Sequence, residues 1–303
     1  MTAPPVPGAR SVVVAGGAGA IGTMLADRWR GDGNTVHVID ARCGRDIRRP
    51  DPATEALLGE ADVVVLAVPE EVALATLGAV TRLMRPTALL VETLSVKTRF
   101  SSAVADLDTA DLDAADLDES DVSWGGSIVG INPMFAPSLG LPGRTVAVVV
   151  HRGGAGADRL LEDLARWGAR VEVTTADRHD RVCAAVQALT HATILSFGCA
   201  LADLGVDADE AAALATPPFT TMSALLARIT GGTPEVYRDV QASNPCAPAA
   251  REALARAVSR VSNACAGDAD DFTALLAEAG VPLNDHADGY AQLCARMFEG
   301  LSQ

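Results

Sequence analysis

The sequence predicts an α/β protein: a doubly wound parallel sheet over residues 1–175, followed by an all-helical unit over residues 176–303. Three observations carry this. A glycine turn of the form G-x-G-x-x-G sits between two β-branched apolar runs, with a helical pattern directly after it. Short apolar runs then alternate with helical patterns as far as residue 174, the signature of strands joined by crossover helices. From Ala176 onward the strand-like runs stop and only helical periodicities remain.

The elements follow in order. Residues 1–10 are proline-rich and read as a loose tail. Residues 11–15 (SVVVA) form a strand, and the turn comes next. Gly17 permits the tight bend, Gly19 lets the backbone approach a pyrophosphate, and Gly22 lets the helix pack close to the strand. Ala20 and Ile21 open that helix, whose free N–H groups and positive dipole end suit phosphates. Residues 34–39 form the second strand of this Rossmann-type unit. Asp40 closes it 18 residues after Gly22, where an acid holds the ribose hydroxyls of NAD. Arg42 and Arg45 could instead meet a 2′-phosphate, which makes NADP the alternative.

A polar stretch leads to residues 61–69 (ADVVVLAVP), a buried parallel strand ending at Pro69, and then to a helix over 70–84. Residues 88–92 (ALLVE) form another buried strand running into Thr93-Leu-Ser-Val-Lys97. In such sheets ligands lie beyond the carboxyl ends of the strands, so the loops at Pro69 and Ser95 are expected to face cofactor or substrate. The tetrapeptide ADLD recurs three times over residues 105–118. With eight acids and no base between Asp106 and Asp121, it reads as a solvated insertion rather than a cation site. Strands are predicted at 127–130, 145–150 and 170–174, with a helix at 158–168. Helices then cover 177–206, 209–215, 219–230, 234–242, 248–265, 269–279 and 284–301. Their many apolar faces predict a homodimer.

Composition narrows the function. The chain has 303 residues, 49% of them hydrophobic but only 4% aromatic, so its core is built mainly of Ala, Val and Leu. A net charge of −15 without a Lys/Arg cluster argues against nucleic acid as a partner. The six cysteines show neither C-x-x-C nor metal-ligand spacing and read as reduced, buried thiols of a cytoplasmic protein that holds no metal. The first ten residues lack a signal-peptide core, and no uninterrupted apolar run reaches membrane-spanning length, so no membrane association is expected.

Several longer segments are more specific than the glycine turn: LSVK at 94–97, INPMFAPSLG at 131–140, WGARVEVTTADRHD at 167–180, VQALTHATILSFG at 186–198 and ARITGGTPEVYRDVQASNP at 227–245. Together they resemble the prephenate dehydrogenase family over most of the chain. The resemblance implies an NAD-dependent oxidative decarboxylation, in which a cyclohexadiene loses hydride from C4 and carbon dioxide from C1. It further implies that Arg228 binds a substrate carboxylate through its bidentate fork. His191, in an otherwise apolar helix, then lines the substrate pocket rather than the core. Ser95 reaches the C4 substituent, and Lys97 in the same loop supports it at the substrate. His179 and Asp180 match the family's His-Asp pair at the start of a long helix, where orienting that helix is at least as fitting a role as catalysis.

Two positions depart from the family pattern. Thr220 stands where some members place an arginine, so one substrate contact is altered or supplied elsewhere. Asn132 precedes Pro133 where members usually carry the histidine that takes the proton of a 4-hydroxyl. An amide is no base at neutral pH, though it accepts one hydrogen bond and donates others. The expected substrate is therefore the amine 4-amino-4-deoxyprephenate, giving 4-aminophenylpyruvate, a precursor in antibiotic pathways. Prephenate itself is the alternative, and a non-catalytic NAD- or ligand-binding protein the third reading.

Overall fold

The computed structural model describes residues 8–114 and 124–301 and divides into two compact units, Met1–Val182 and Cys183–Gln303. The division falls inside a helix, two turns past the boundary expected from the end of strand–helix alternation.

The first unit is built on one seven-stranded sheet: β1 (Ser11–Ala15), β2 (Thr35–Ile39), β3 (Val63–Leu66), β4 (Leu89–Glu92), β5 (Ser127–Pro133), β6 (Thr145–Arg152) and β7 (Arg170–Val173). The order across it is β2-β1-β3-β4-β5-β6-β7. Pairing is parallel except between β5 and β6, which run antiparallel with Asn132 opposite Ala147. The sheet is thus the mainly parallel one expected, with this one reversed pair. The chain between Pro133 and Thr145 holds one short 3₁₀ turn and is too short for the crossover a parallel return needs.

Helices cover both faces: α1 (Ala20–Gly31), α2 (Pro52–Glu60), α3 (Glu70–Leu83), α4 (Thr98–Ala114) and α5 (Ala155–Arg166). Alternate strand residues feed two cores, as the two-residue period of a strand requires. Val13, Val64, Leu66, Leu90 and Ile128 pack with Leu58, Leu77 and Phe100 of α2–α4. Val12, Val14, Val65, Val129 and Val148 pack with Leu25 and Trp29 of α1 and Leu160 and Leu164 of α5. Burial on both sides explains the unbroken apolar runs of the central strands. The acidic repeat is not wholly an insertion. Its first two copies lie within α4, where Leu107 packs against the core and Asp108 pairs with Arg152. Residues 115–123, with the third copy, lie outside the described residues.

The described residues of the second unit form helices and their connections. From α6 (Ala176–Cys183) the chain passes through a π-helical segment, Ala184–Leu189, into α7 (Thr190–Leu204). It continues through α8 (Ala208–Ala213), α9 (Pro217–Thr230), α10 (Pro234–Ala242), α11 (Ala247–Ala266), α12 (Ala269–Gly280) and α13 (Ala287–Gly300). Its buried apolar cluster consists of Ala188, Val240 and Ala247, whereas Leu214, Val258, Leu276, Tyr290 and Met297 are exposed in the single chain. The helical span Ala176–Leu204 is long and apolar enough to cross a membrane by length and composition, with 28% of its most apolar window buried.

Candidate active site

The glycine turn is a cradle that side chains would fill. Gly16 has φ +77°, and a Cβ there would lie 2.0 Å from the Ala67 carbonyl oxygen. A Cβ on Gly17 would strike Val38 at 2.7 Å, and one on Gly22 the Gly16 carbonyl oxygen at 2.4 Å. Gly19 caps α1 without any side-chain hydrogen bond, so Ala20 and Ile21 begin a helix whose first N–H groups are open to an anion. Beside this cradle the Asp40 carboxylate accepts the N–H groups of Ala18 and Arg42, and the Arg42 guanidinium clasps both its oxygens. Those Arg42 bonds, with the two backbone donors, hold the acid ionised, below its usual range. Pro69 caps α3 at the exit of β3 and is exposed. The residues present thus fit a dinucleotide: an open helix N-terminus, a backbone without side chains around it, and an acid at the tip of β2. Gly16 escaped the sequence reading, although the doubled glycine after β1 was its signal.

A second constellation lies at the carboxyl ends of β4 and β5. Glu92 ends β4 and is wholly buried. Its carboxylate takes the Lys97 ammonium at 2.7 and 2.8 Å, the Leu94 N–H at 2.6 Å and His151 Nε2 at 3.1 Å. Burial pushes this acid up, but Lys97 and His151 outweigh it and keep Glu92 below its ordinary value. Gly130 leaves the space, since a Cβ there would sit 1.9 Å from Glu92 Oε1. Lys97, expected at the substrate, is found inside this cluster. It is fully buried, with its Nζ also donating to the Ile131 carbonyl, because an acid on the neighbouring strand end captures it. The sequence signal for Glu92 is an acid closing an apolar strand five residues before a lysine. Ser95, at the crest of the loop that this pair anchors, is half-buried, and its hydroxyl has no hydrogen-bond partner among the described residues.

Asn132 is buried near the end of β5, its Nδ2 3.1 Å from His179 Nε2. His179 Nδ1 in turn meets Asp180 Oδ1 at 2.7 Å. The Asp180 carboxylate also accepts the N–H groups of Lys97 and Thr98 and the Thr98 hydroxyl at the start of α4. Burial raises this acid, yet the bonds from His179 and Thr98 outweigh it and hold it ionised. The His-Asp pair thus joins Asn132 to the Ser95–Lys97 loop.

In the helical unit, His191 stands on α7 with its ring edge-on to Tyr237 of α10, centroids 5.1 Å apart. Its Nδ1 is buried without a hydrogen-bond partner among the described residues, as is Oε1 of Gln187 in the π-helical segment. Burial, with a smaller push from Arg228, lowers the His191 pKa and keeps the ring neutral. Arg228 lies exposed in the last turn of α9, and Thr220 in that helix's first turn accompanies Phe219, which packs against Phe197.

A dinucleotide cradle on a doubly wound sheet, with buried polar groups gathered at the strand ends, defines a Rossmann-type oxidoreductase fold. The family model for the prephenate dehydrogenase dimerization domain matches residues 175–278. The chain is 46% identical over 300 residues to a 4-amino-4-deoxyprephenate dehydrogenase of Streptomyces pristinaespiralis, covering 95% of this chain and 96% of that one. It is 28% identical to the T-protein of Enterobacter agglomerans over 77% of its own length, and spans only 57% of that longer protein. Among solved structures, prephenate dehydrogenase from A. aeolicus, bound to hydroxyphenyl propionate and NAD+, superposes with a TM-score of 0.66 at 16% identity, covering 90% of this chain and 96% of that one. Synechocystis arogenate dehydrogenase gives 0.59 at 20% identity, covering 92% and 99%. These two share the fold. The chain belongs to the prephenate dehydrogenase family.

Proposed function

We propose that this enzyme oxidatively decarboxylates 4-amino-4-deoxyprephenate to 4-aminophenylpyruvate with NAD, in the supply of an antibiotic precursor. The observation that carries the reading is Asn132, an amide where a base would serve a hydroxyl substrate. The 46% identical relative that bears this activity in its name supports it.

Bound NAD accepts the C4–H electron pair as hydride while the pair of the C1–carboxylate bond enters the ring and carbon dioxide leaves. No proton is gained or lost between the free-base amine and the aromatic product. A hydroxyl at C4 donates electrons weakly, and partial removal of its proton by a base is worth about 10²–10⁴-fold. An amine nitrogen donates its lone pair without that help. It needs only an acceptor for one N–H that leaves the lone pair to the ring, which Asn132 Oδ1 supplies. Ser95 is assigned a second hydrogen bond to the amine. Arg228 is assigned a substrate carboxylate, and neutral His191 and Thr220 polar contacts to the substrate. Lys97 holds the Ser95 loop through Glu92. Asp40 takes the ribose hydroxyls and disfavours a 2′-phosphate, so NAD is preferred to NADP.

The exposed apolar helices and the match to a dimerization domain support a homodimer. In this reading the apolar side of Ala176–Leu204 faces the second subunit and not a lipid bilayer, and the enzyme works in the cytoplasm.

A second reading, prephenate as substrate, draws on His179, whose ring lies close enough to Asn132 to take a proton in place of the missing histidine. Product analysis separates the two. Equal amounts of NADH, carbon dioxide and 4-aminophenylpyruvate from the amine support the proposal. NADH formed only from prephenate refutes it.

A further inference from the structure

We infer that His179 and Asp180 are positioning residues that fix which end of the Asn132 amide faces substrate, and so make this position a hydrogen-bond acceptor. The inference deepens the proposed function and rests on that reading for its meaning, but not for its test.

An asparagine amide has two faces of similar shape and opposite chemistry. Turned one way it offers a carbonyl, turned the other way two N–H donors. Only the first can accept an N–H from an amine while leaving the nitrogen lone pair to the ring. The choice is made by the partner on the other side. A carboxylate can only accept, so the 2.7 Å contact between Asp180 Oδ1 and His179 Nδ1 puts the ring proton on Nδ1. In the neutral ring Nε2 is then a lone pair. The Asn132 atom 3.1 Å away must be the donor, Nδ2. Reversing the amide would set its oxygen against that lone pair in a buried site.

Asp180 is itself anchored. Its Oδ1 also accepts the Lys97 N–H at 2.9 Å, and its Oδ2 accepts the Thr98 N–H at 2.9 Å and the Thr98 hydroxyl at 2.7 Å. Four donors therefore hold the carboxylate in place, at the N-terminus of α4, where a negative charge is favoured. Among the described residues the Asn132 amide makes no other side-chain hydrogen bond, so its Oδ1 remains available to a ligand. The same carboxylate that orients the ring thus fastens the loop bearing Ser95. One charged group sets both polar contacts proposed for the C4 substituent.

The test reads the tautomer directly and then its consequence. The chain has five histidines, so ¹⁵N spectra of the intact protein can be assigned to His179 by comparison with His179→Leu. The expected spectrum at about pH 8 shows a protonated Nδ1 and a lone-pair Nε2, the less common tautomer of a free imidazole. His179→Leu, which offers Asn132 no acceptor, is expected to lower kcat on the amine by on the order of 10²-fold, the scale of a misplaced contact, with KM for NAD unchanged. His179→Gln, whose amide can accept from Asn132, should recover most of that loss. Circular dichroism checks that both variants fold. A His179 proton found on Nε2, or on both nitrogens, overturns the inference whichever substrate is used. Equal losses in the Leu and Gln variants overturn it as well. If the amine is not turned over while the proton is on Nδ1, the functional reading fails and the orientation stands.

Discussion

Glu92 and Lys97, five residues apart, close a salt bridge at 2.7 Å in which neither side chain exposes any surface. The bridge ties the last residue of β4 to the loop that carries Ser95, and the Lys97 backbone N–H passes the connection on to Asp180. Removing one partner of a buried pair leaves an uncompensated charge, at a cost of about 3–5 kcal/mol. Glu92→Gln should therefore lower the urea midpoint of the chain markedly. The double variant Glu92→Leu/Lys97→Met, which buries no charge of this pair, should fall by less than either single change. A Glu92→Gln midpoint within error of the parent would show that the pair does not hold the loop.

Asp40 stands at the tip of β2, and the exposed Arg42 already covers it. Asp40→Asn removes the charge that repels a 2′-phosphate and leaves Arg42 free to attract one. The KM for NAD is expected to rise by about tenfold, in line with loss of a charge-assisted hydrogen bond, while the KM for NADP falls. Steady-state kinetics with both cofactors read this out. Unchanged preference would remove Asp40 from cofactor selection.

Asn132→His restores a base where the family usually carries one. Turnover of prephenate is expected to rise by about 10²-fold or more, the lower end of what general-base help supplies. Turnover of the amine should not improve. Unchanged activity on prephenate would mean that this position does not handle the hydroxyl proton.

Acid should unfold the sheet-bearing unit through its buried carboxylates. Glu92 and Asp180 are both held below their ordinary values of 4.5 and 3.8. A lowered folded pKa means that the unfolded chain takes up protons first as pH falls. The stability these groups contribute is therefore complete above their ordinary values and is lost as pH drops from there toward the folded pKa. Unfolding free energies from about pH 6 to pH 3 should fall steeply below about pH 4.5. Asp180→Asn should start lower and fall less steeply. Parallel curves for the two proteins would contradict this.

What the sequence disclosed follows from how local each signal is. The cradle from Gly17 to Gly22 and the acid at Asp40 are fixed by one βαβ unit, so their spacing suffices to find them. The central strands read clearly because burial on both faces makes them continuously apolar. The reversal of β6 depended on what a short connection cannot do, which strand patterns do not encode. The pairing of Lys97 with Glu92 is not legible from spacing alone, because the acid closes an otherwise apolar strand and only the fold turns it toward the lysine. His179 and Asp180 were legible as a pair, yet their hold on Asn132 joins residues 47 apart in sequence and needs the fold.

The measurement that tests the account most directly is kcat/KM for 4-amino-4-deoxyprephenate and for prephenate, with NAD and the unmodified enzyme under one set of conditions. With an amide rather than a base at position 132, the amine should be favoured by on the order of 10²-fold or more. Prephenate turned over as well as the amine, or better, would contradict the account and return the protein to ordinary prephenate oxidation.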